Sequence, residues 1–232
     1  MKHRVGVVLS GCGVMDGTEI HEAVLTLLAI DRAGAEAVCL APDIECEAVN
    51  HLTNQPMEQR RNVLVESARI ARGRVRDIAK VGVEEVDAVI LPGGYGAAKN
   101  LSTFAGDGAR CTVQPDAERF LRAAHAAGKP MGAICIAPAV IAKLFGGEHP
   151  TVTIGNDAGT AQALEAMGAK HQRASCAEAV VDGDRLIVTT PAYMLAGWVG
   201  EAWPGIERLV SEVLGLVARH QRGSASVARR GV

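Results

Sequence analysis

Short apolar runs alternate with longer segments of helical period along almost the whole chain. Val5-Gly-Val-Val-Leu9 reads as a buried strand, and a glycine-rich loop follows it. From Thr18 to Ala33 the spacing of Ile20, Val24, Leu27 and Leu28 predicts a helix with these residues on its apolar face, stopped by Gly34. Ala37 to Leu40 is a second strand. A polar stretch without either period comes next, then a helix over 62–72 and a strand over Val86 to Leu91. Pro92-Gly-Gly-Tyr-Gly96 turns the chain out of that strand. A helix from Pro115 to Ala127 has proline in its first turn and Gly128 just past its end.

The same alternation continues to the C-terminal region. Met131 to Ile134 reads as a strand feeding a helix over Ala137 to Leu144. Val152 to Ile154, a helix over Ala161 to Met167 and Ala179 to Val181 follow. Asp182-Gly-Asp184 is a tight turn into Leu186 to Thr189. A last helical region runs from Ala192 to Arg219, with a break expected at Pro204-Gly205. This order predicts a mostly parallel sheet covered by helices on both faces, in one domain over residues 1–219. The tail, 220–232, lacks apolar periodicity and is expected to be flexible.

Composition narrows the function classes. With 232 residues and 48% hydrophobic content the chain can fill one large core. A net charge of −2 leaves no basic footprint for nucleic acid, and 3% aromatics leaves few surfaces for stacking bases. No apolar run is long enough to span a membrane. Six scattered cysteines show neither a C-x-x-C pair nor zinc spacing, so free thiols in a reducing interior are expected, with the cytoplasm as the address. No metal or cofactor is expected.

Three segments carry candidate chemistry. Ala133-Ile-Cys-Ile-Ala137, preceded by Gly132, lies between a strand and a helix. Small neighbours permit the sharp turn of a nucleophile elbow, which would place Cys135 at a helix N-terminus that favours thiolate. The backbone N–H of Ile136 would then face an oxyanion. A buried inert cysteine fits the same spacing. Leu91-Pro-Gly-Gly-Tyr-Gly96 could add a second oxyanion donor at Gly94, or be an ordinary turn. Gly11-x-Gly13-x-x-x-Gly17 misses the dinucleotide spacing, and Glu19 just beyond it could simply compensate a helix dipole. His149, shortly after the elbow helix, is a weak candidate for a further partner.

Assembled in order, these residues resemble the class I glutamine amidotransferase-like superfamily, which includes PfpI-type proteins and the Parkinson-associated deglycase/glyoxalase. Within it they are most similar to the enhancing lycopene biosynthesis group, also called isoprenoid biosynthesis glyoxalase (ElbB). The resemblance spans roughly residues 3 to 218. Its marks are the Gly11-to-Glu22 region, Arg61 to Arg69, Leu91 to Leu101, Ile134-Cys-Ile-Ala-Pro138 and Thr189-Thr-Pro-Ala-Tyr-Met194. It implies a flavodoxin-like three-layer sandwich, a homodimer and a small reactive carbonyl substrate such as methylglyoxal or glyoxal.

The resemblance also carries the nucleophile onto Cys135, the interacting carboxyl onto Glu19 and the oxyanion amides onto Gly94 and Ile136. The late His-x-Glu of true glutaminases is absent, since Thr190-Pro-Ala-Tyr-Met194 holds no histidine. Where other members place a histidine after the elbow helix, this chain reads Thr151-Val-Thr-Ile-Gly-Asn-Asp157, leaving Asn156 or Asp157 as the third partner. The activity implied is that of a glyoxalase-type lyase working through a Cys135 hemithioacetal. The alternatives are a thiol-dependent amidase or deglycase, and a redox-sensing protein without turnover.

Overall fold

A computed structural model describes residues 2–230, with side chains through His220, so the tail expected over 220–232 lies outside the described side chains but for His220. Strands of alternating destination build the centre. β1 (Arg4–Val8), β2 (Glu36–Ala41), β5 (Val75–Asp77), β6 (Ala88–Leu91), β7 (Met131–Ile134), β10 (Val180–Asp182) and β11 (Ile187–Thr190) form one sheet in the order β10-β11-β7-β6-β1-β2-β5. Every pairing is parallel except β10 with β11, which a four-residue turn over 183–186 joins as a hairpin, longer than the expected turn at 182–184.

Both faces of this sheet are covered, which is why its strands read as continuous apolar runs. On one face Val8, Leu40, Val89, Leu91, Met131 and Ala133 pack with α5 (Pro115–Ala126), α6 (Pro138–Phe145) and Leu164 of α7 (Ala158–Ala166). On the other, Val5, Val7, Cys39, Ile90, Ile134 and Val188 meet α1 (Ile20–Arg32), α2 (Val63–Ile70) and α8 (Val199–Arg230). The result is the three-layer, flavodoxin-like arrangement with a mostly parallel sheet.

Several expectations change. The polar stretch without a period is a separate antiparallel hairpin, β3 (Glu45–Asn50) with β4 (Gln55–Asn62); β4 is largely exposed, so no apolar alternation marks it. Two short helices, α3 (Tyr95–Lys99) and α4 (Phe104–Asp107), and a two-stranded pair, β8 (Thr151–Val152) with β9 (Lys170–His171), complete the chain. Helix α8 starts at Val199 and runs through Pro204 without the expected break. Gly205 beside it is needed for close packing, because a Cβ there would lie 2.2 Å from the Cys176 carbonyl.

Helix α1 turns a different face inward from the one its large apolar residues predict. Glu22, Ala23, Thr26, Ala29 and Ile30 are buried, whereas Ile20, Val24 and Leu28 are 42%, 48% and 43% exposed. Small side chains face inward because α8 packs closely alongside α1. This rotation brings a carboxylate into the interior.

Candidate active site

The C-terminal ends of β6 and β7 meet the start of α1 at the sheet edge where ligands bind in open α/β folds. β7 ends at Ile134 and α6 begins at Pro138, so the elbow has three residues to reverse the chain. Cys135 takes φ +61°, a left-handed conformation that costs a non-glycine residue about 1–2 kcal/mol. The turn is fixed on both sides: Cys135 N–H donates to Thr190 O at 2.9 Å, and Ala137 N–H to Ile134 O at 3.0 Å. Glycines opposite make room. A Cβ on Gly93 would stand 2.5 Å from Cys135 Cβ and 2.7 Å from Glu22 Oε2. Gly94, at φ +92°, would place a Cβ 2.3 Å from the Glu19 nitrogen.

The amides of Gly94 and Ile136 lie near the Cys135 sulfur and favour its charged form. The carboxyl beside the thiol is Glu22, which is fully buried, lies against Gly93 as Cys135 does, and acts on the Cys135 thiol. Its two oxygens are also held by amides: Gly93 N–H donates to Oε2 at 2.8 Å and Tyr193 N–H to Oε1 at 3.2 Å. Placing the interacting carboxyl at Glu19 is therefore corrected by one helical turn. Glu19 is the N-cap of α1; its Oε2 accepts the Glu22 N–H at 2.6 Å, and its own N–H donates to Gly93 O at 2.9 Å. Glu19 thus positions the helix that carries Glu22.

Electrostatics follow from burial. Desolvation, then the neighbouring Glu19 charge, push Glu22 up to about 8 against the pull of its amide and thiol donors. Desolvation also raises Cys135, well above an ordinary thiol, and the Glu22 charge adds to it; the Gly94 and Ile136 amides pull the other way. The expectation of a thiolate-favouring helix N-terminus is thus overridden in the resting site. Burial thus favours the protonated forms of both the thiol and the carboxyl.

Asn156 and Asp157 lie exposed between β8 and α7, and Asp157 Oδ1 caps α7 by accepting the Thr160 N–H at 2.7 Å. His149 Nδ1 is held by the Gly168 carbonyl at 2.9 Å. The residues that do converge near Glu22 are Tyr193 and His21, whose phenol oxygen and Nδ1 lie 2.7 Å apart. Sequence reasoning passed over both. Glu22 had a legible signal, since it shares a helical face with Thr26, Ala29 and Ile30, but the larger residues drew the assignment to the opposite face. Tyr193 lies in the Thr189–Met194 segment that marks the resemblance, but its approach to Glu22 depends on an irregular turn that the pattern does not show. Among the described residues no three metal-ligating side chains converge.

Residues 12–194 match the model of the DJ-1/PfpI family, a span that contains Cys135, Glu22 and Tyr193. The chain belongs to the DJ-1/PfpI family. It is 48% identical over 227 residues to human glutamine amidotransferase-like class 1 domain-containing protein 3, mitochondrial, covering 93% of this chain and 84% of that protein. The rat ES1 protein homolog, mitochondrial, is 46% identical with 93% and 85% covered. Among solved structures, an isoprenoid biosynthesis protein with amidotransferase-like domain from Ehrlichia chaffeensis superposes with a TM-score of 0.87 at 37% identity, covering 93% of this chain and 99% of that one.

These relatives of the DJ-1/PfpI chain correct the expected cytoplasmic address, because they are named as mitochondrial proteins. The physical ground for the expectation was free thiols, and these are equally compatible with any reducing compartment.

Proposed function

We propose that this DJ-1/PfpI protein is a cofactor-independent glyoxalase-type enzyme that converts methylglyoxal or glyoxal to a 2-hydroxy acid. One observation carries the reading: at the elbow the buried Cys135 thiol lies beside the fully buried Glu22 carboxyl, across Gly93, with the backbone amides of the glycine loop and the elbow around them. Family membership supports a thiol-centred chemistry of this class.

The Cys135 sulfur adds to the aldehyde carbon while Glu22 takes the thiol proton and passes one to the aldehyde oxygen, giving a hemithioacetal. The Gly94 and Ile136 amides hold that oxygen while it bears charge. Glu22 then moves the proton from this carbon to the adjacent one through an enediol, which leaves a thioester beside a new hydroxyl. Water cleaves the thioester, releasing the 2-hydroxy acid and restoring the thiol. One water is added overall, and no electrons enter or leave.

The test is lactate formation from methylglyoxal by the purified protein, beside Cys135→Ala and Glu22→Gln. Lactate no faster than in the two variants would sink the reading. Ammonia release from amides without lactate would point to the hydrolase instead. Cys135 sulfinic acid in mass spectra, with no turnover, would point to a redox sensor. A homodimer belongs to the same proposal, supported by the exposed Ile20, Val24 and Leu28 on α1. Sedimentation at the mass of one chain would remove that part alone.

A further inference from the structure

The segment from β11 to α8 touches the first turn of α1 from two sides. Thr190, at the end of β11, accepts the Cys135 N–H. The chain then passes Pro191 into a single 3-10 turn, Ala192–Met194, in which Ala192 sits at φ +42°. A non-glycine residue keeps such a conformation only where surrounding contacts hold it. Part of that hold is internal, since the buried Ala192 carbonyl accepts the Leu195 N–H at 3.0 Å and the Ala196 N–H at 2.8 Å, and part comes from Tyr193. Its backbone N–H reaches inward to the buried Glu22 Oε1 at 3.2 Å, while its hydroxyl meets His21 Nδ1, on the exposed side, at 2.7 Å. Residues 21 and 22 are adjacent on the helix and point about 100° apart. Tyr193 therefore grips α1 with its amide on one side and its phenol on the other.

The outer grip is reinforced. The Tyr193 and His21 rings lie 5.7 Å apart, and Trp198 meets His21 edge-on at 6.2 Å. Past this cluster Gly197 N–H donates to Glu201 Oε2 at 2.7 Å, tying the segment to the start of α8. Of the two hydrogen bonds from Tyr193 to α1, the amide contact with Glu22 is the longer, at 3.2 Å against 2.7 Å for the phenol–imidazole bond. The chain has two tyrosines, and one of them makes this contact.

We propose that Tyr193 is a positioning residue of the site, and that its hydrogen bond to His21 holds the outer amide donor on Glu22 and so sets the reactivity of Cys135. The proposal rests on the pairing of Cys135 with Glu22 but not on which substrate the pair attacks. The further titratable group acting on the pair is Glu19 of α1; His21, on the exposed side, acts on Glu19, and Glu19, Glu22 and Glu201 of α8 act on the Tyr193 phenol. When the bond is lost, the turn relaxes outward and Glu22 keeps one amide donor. A carboxylate with fewer donors is harder to form, so the charge that suppresses the thiolate weakens and the sulfur becomes more accessible.

The experiment follows iodoacetamide alkylation of the Cys135 peptide by mass spectrometry from pH 6 to 10, in the wild-type protein, Tyr193→Phe, His21→Ala and the double variant. Expected is a roughly five-fold faster alkylation near pH 9 in each single variant, the change one ordinary hydrogen bond carries. The double variant is expected to equal either single one, because both remove the same bond. Wild-type rates in Tyr193→Phe across the range, or effects that add in the double variant, would overturn the proposal. Melting temperatures and alkylation of the Cys39 peptide report general loosening; if Cys39 accelerates in parallel with Cys135, the role is structural only. Alkylation needs no turnover. A protein that makes no lactate yet shows this pattern loses the proposed reaction and keeps the positioning role.

Discussion

Cys39 in the middle of β2 and Cys135 at the elbow are both buried cysteines on the same side of one sheet, 6% and 8% exposed. Burial raises both thiols, Cys39 to about 11 with no other cause resolved. At Cys135 three further groups act: the Glu22 carboxyl and the Gly94 and Ile136 amides. The strand centre surrounds its sulfur with apolar atoms, whereas the strand end exposes backbone amides and lets a helix deliver a carboxyl. Burial makes a thiol inert, and a site arises where burial is combined with donors and a proton acceptor at one point.

The sharpest way to break this comparison is to remove each sulfur in turn. Cys135→Ala is expected to abolish lactate formation. Cys39→Ala should keep it and lower stability by about 1–2 kcal/mol, as for a small cavity. Lactate assays and urea titrations on the two variants check this; equal activities would erase the difference between the regions.

Next in size is Gly93→Ala. Its new methyl would sit 2.5 Å from Cys135 Cβ and 2.8 Å from the Ile134 carbonyl, where backbone must move. A loss of several kcal/mol in stability is expected, together with the activity. Gly34, with nothing within 4 Å of a Cβ, is the control: at φ +73°, alanine there carries backbone strain alone, on the order of 1 kcal/mol. Urea midpoints of the two variants decide it, and Gly93→Ala should fall well below Gly34→Ala.

Glu22→Gln sharpens the comparison at the proton. Glutamine keeps an oxygen for the amides but cannot shuttle protons, so turnover should fall by about 10²-fold or more. Stability gives an independent reading. An unfolded glutamate titrates near 4.3, and Glu22 does so at about 8 in the fold. Its neutral form is therefore the one the fold favours, and the wild-type protein loses stability as pH rises from about 4.3 through about 8. Glu22→Gln should lack that loss, so its stability relative to wild type should rise between pH 5 and pH 9. A constant difference across that range would place the proton elsewhere.

How much of this was legible depends on whether a feature lives in local pattern or in side-chain direction. Val5 to Val8 and Ala88 to Leu91 declared themselves as strands because both faces are buried, the second of them two residues shorter than the expected Val86 to Leu91, and the elbow declared itself through Gly132, Ala133 and Ala137 around one cysteine. The hairpin of β3 and β4 did not, since its outer strand shows solvent-facing side chains almost throughout. The identity of the carboxyl was hidden by α1, where Ala23, Thr26 and Ala29 share the buried face with Glu22 while Ile20, Val24 and Leu28 face outward. Tyr193 was hidden by Ala192, whose positive φ no alanine advertises.

The smallest effect separates the two carboxyls of that helix. Glu19 accepts the Glu22 N–H at 2.6 Å as the cap of α1, so Glu19→Ala should cost about 1 kcal/mol, the ordinary loss of an N-cap. Its charge also raises Glu22, so the variant should lower the pH at which Glu22 ionises. Turnover that depends on Glu22 as the base should then reach its plateau at a lower pH than in the wild type, with Cys135 still in place. Lactate formation measured from pH 6 to 9 decides this. A Glu19→Ala protein as inactive as Cys135→Ala, yet only about 1 kcal/mol less stable, would return the proton shuttle to Glu19 and leave Glu22 as a structural acid.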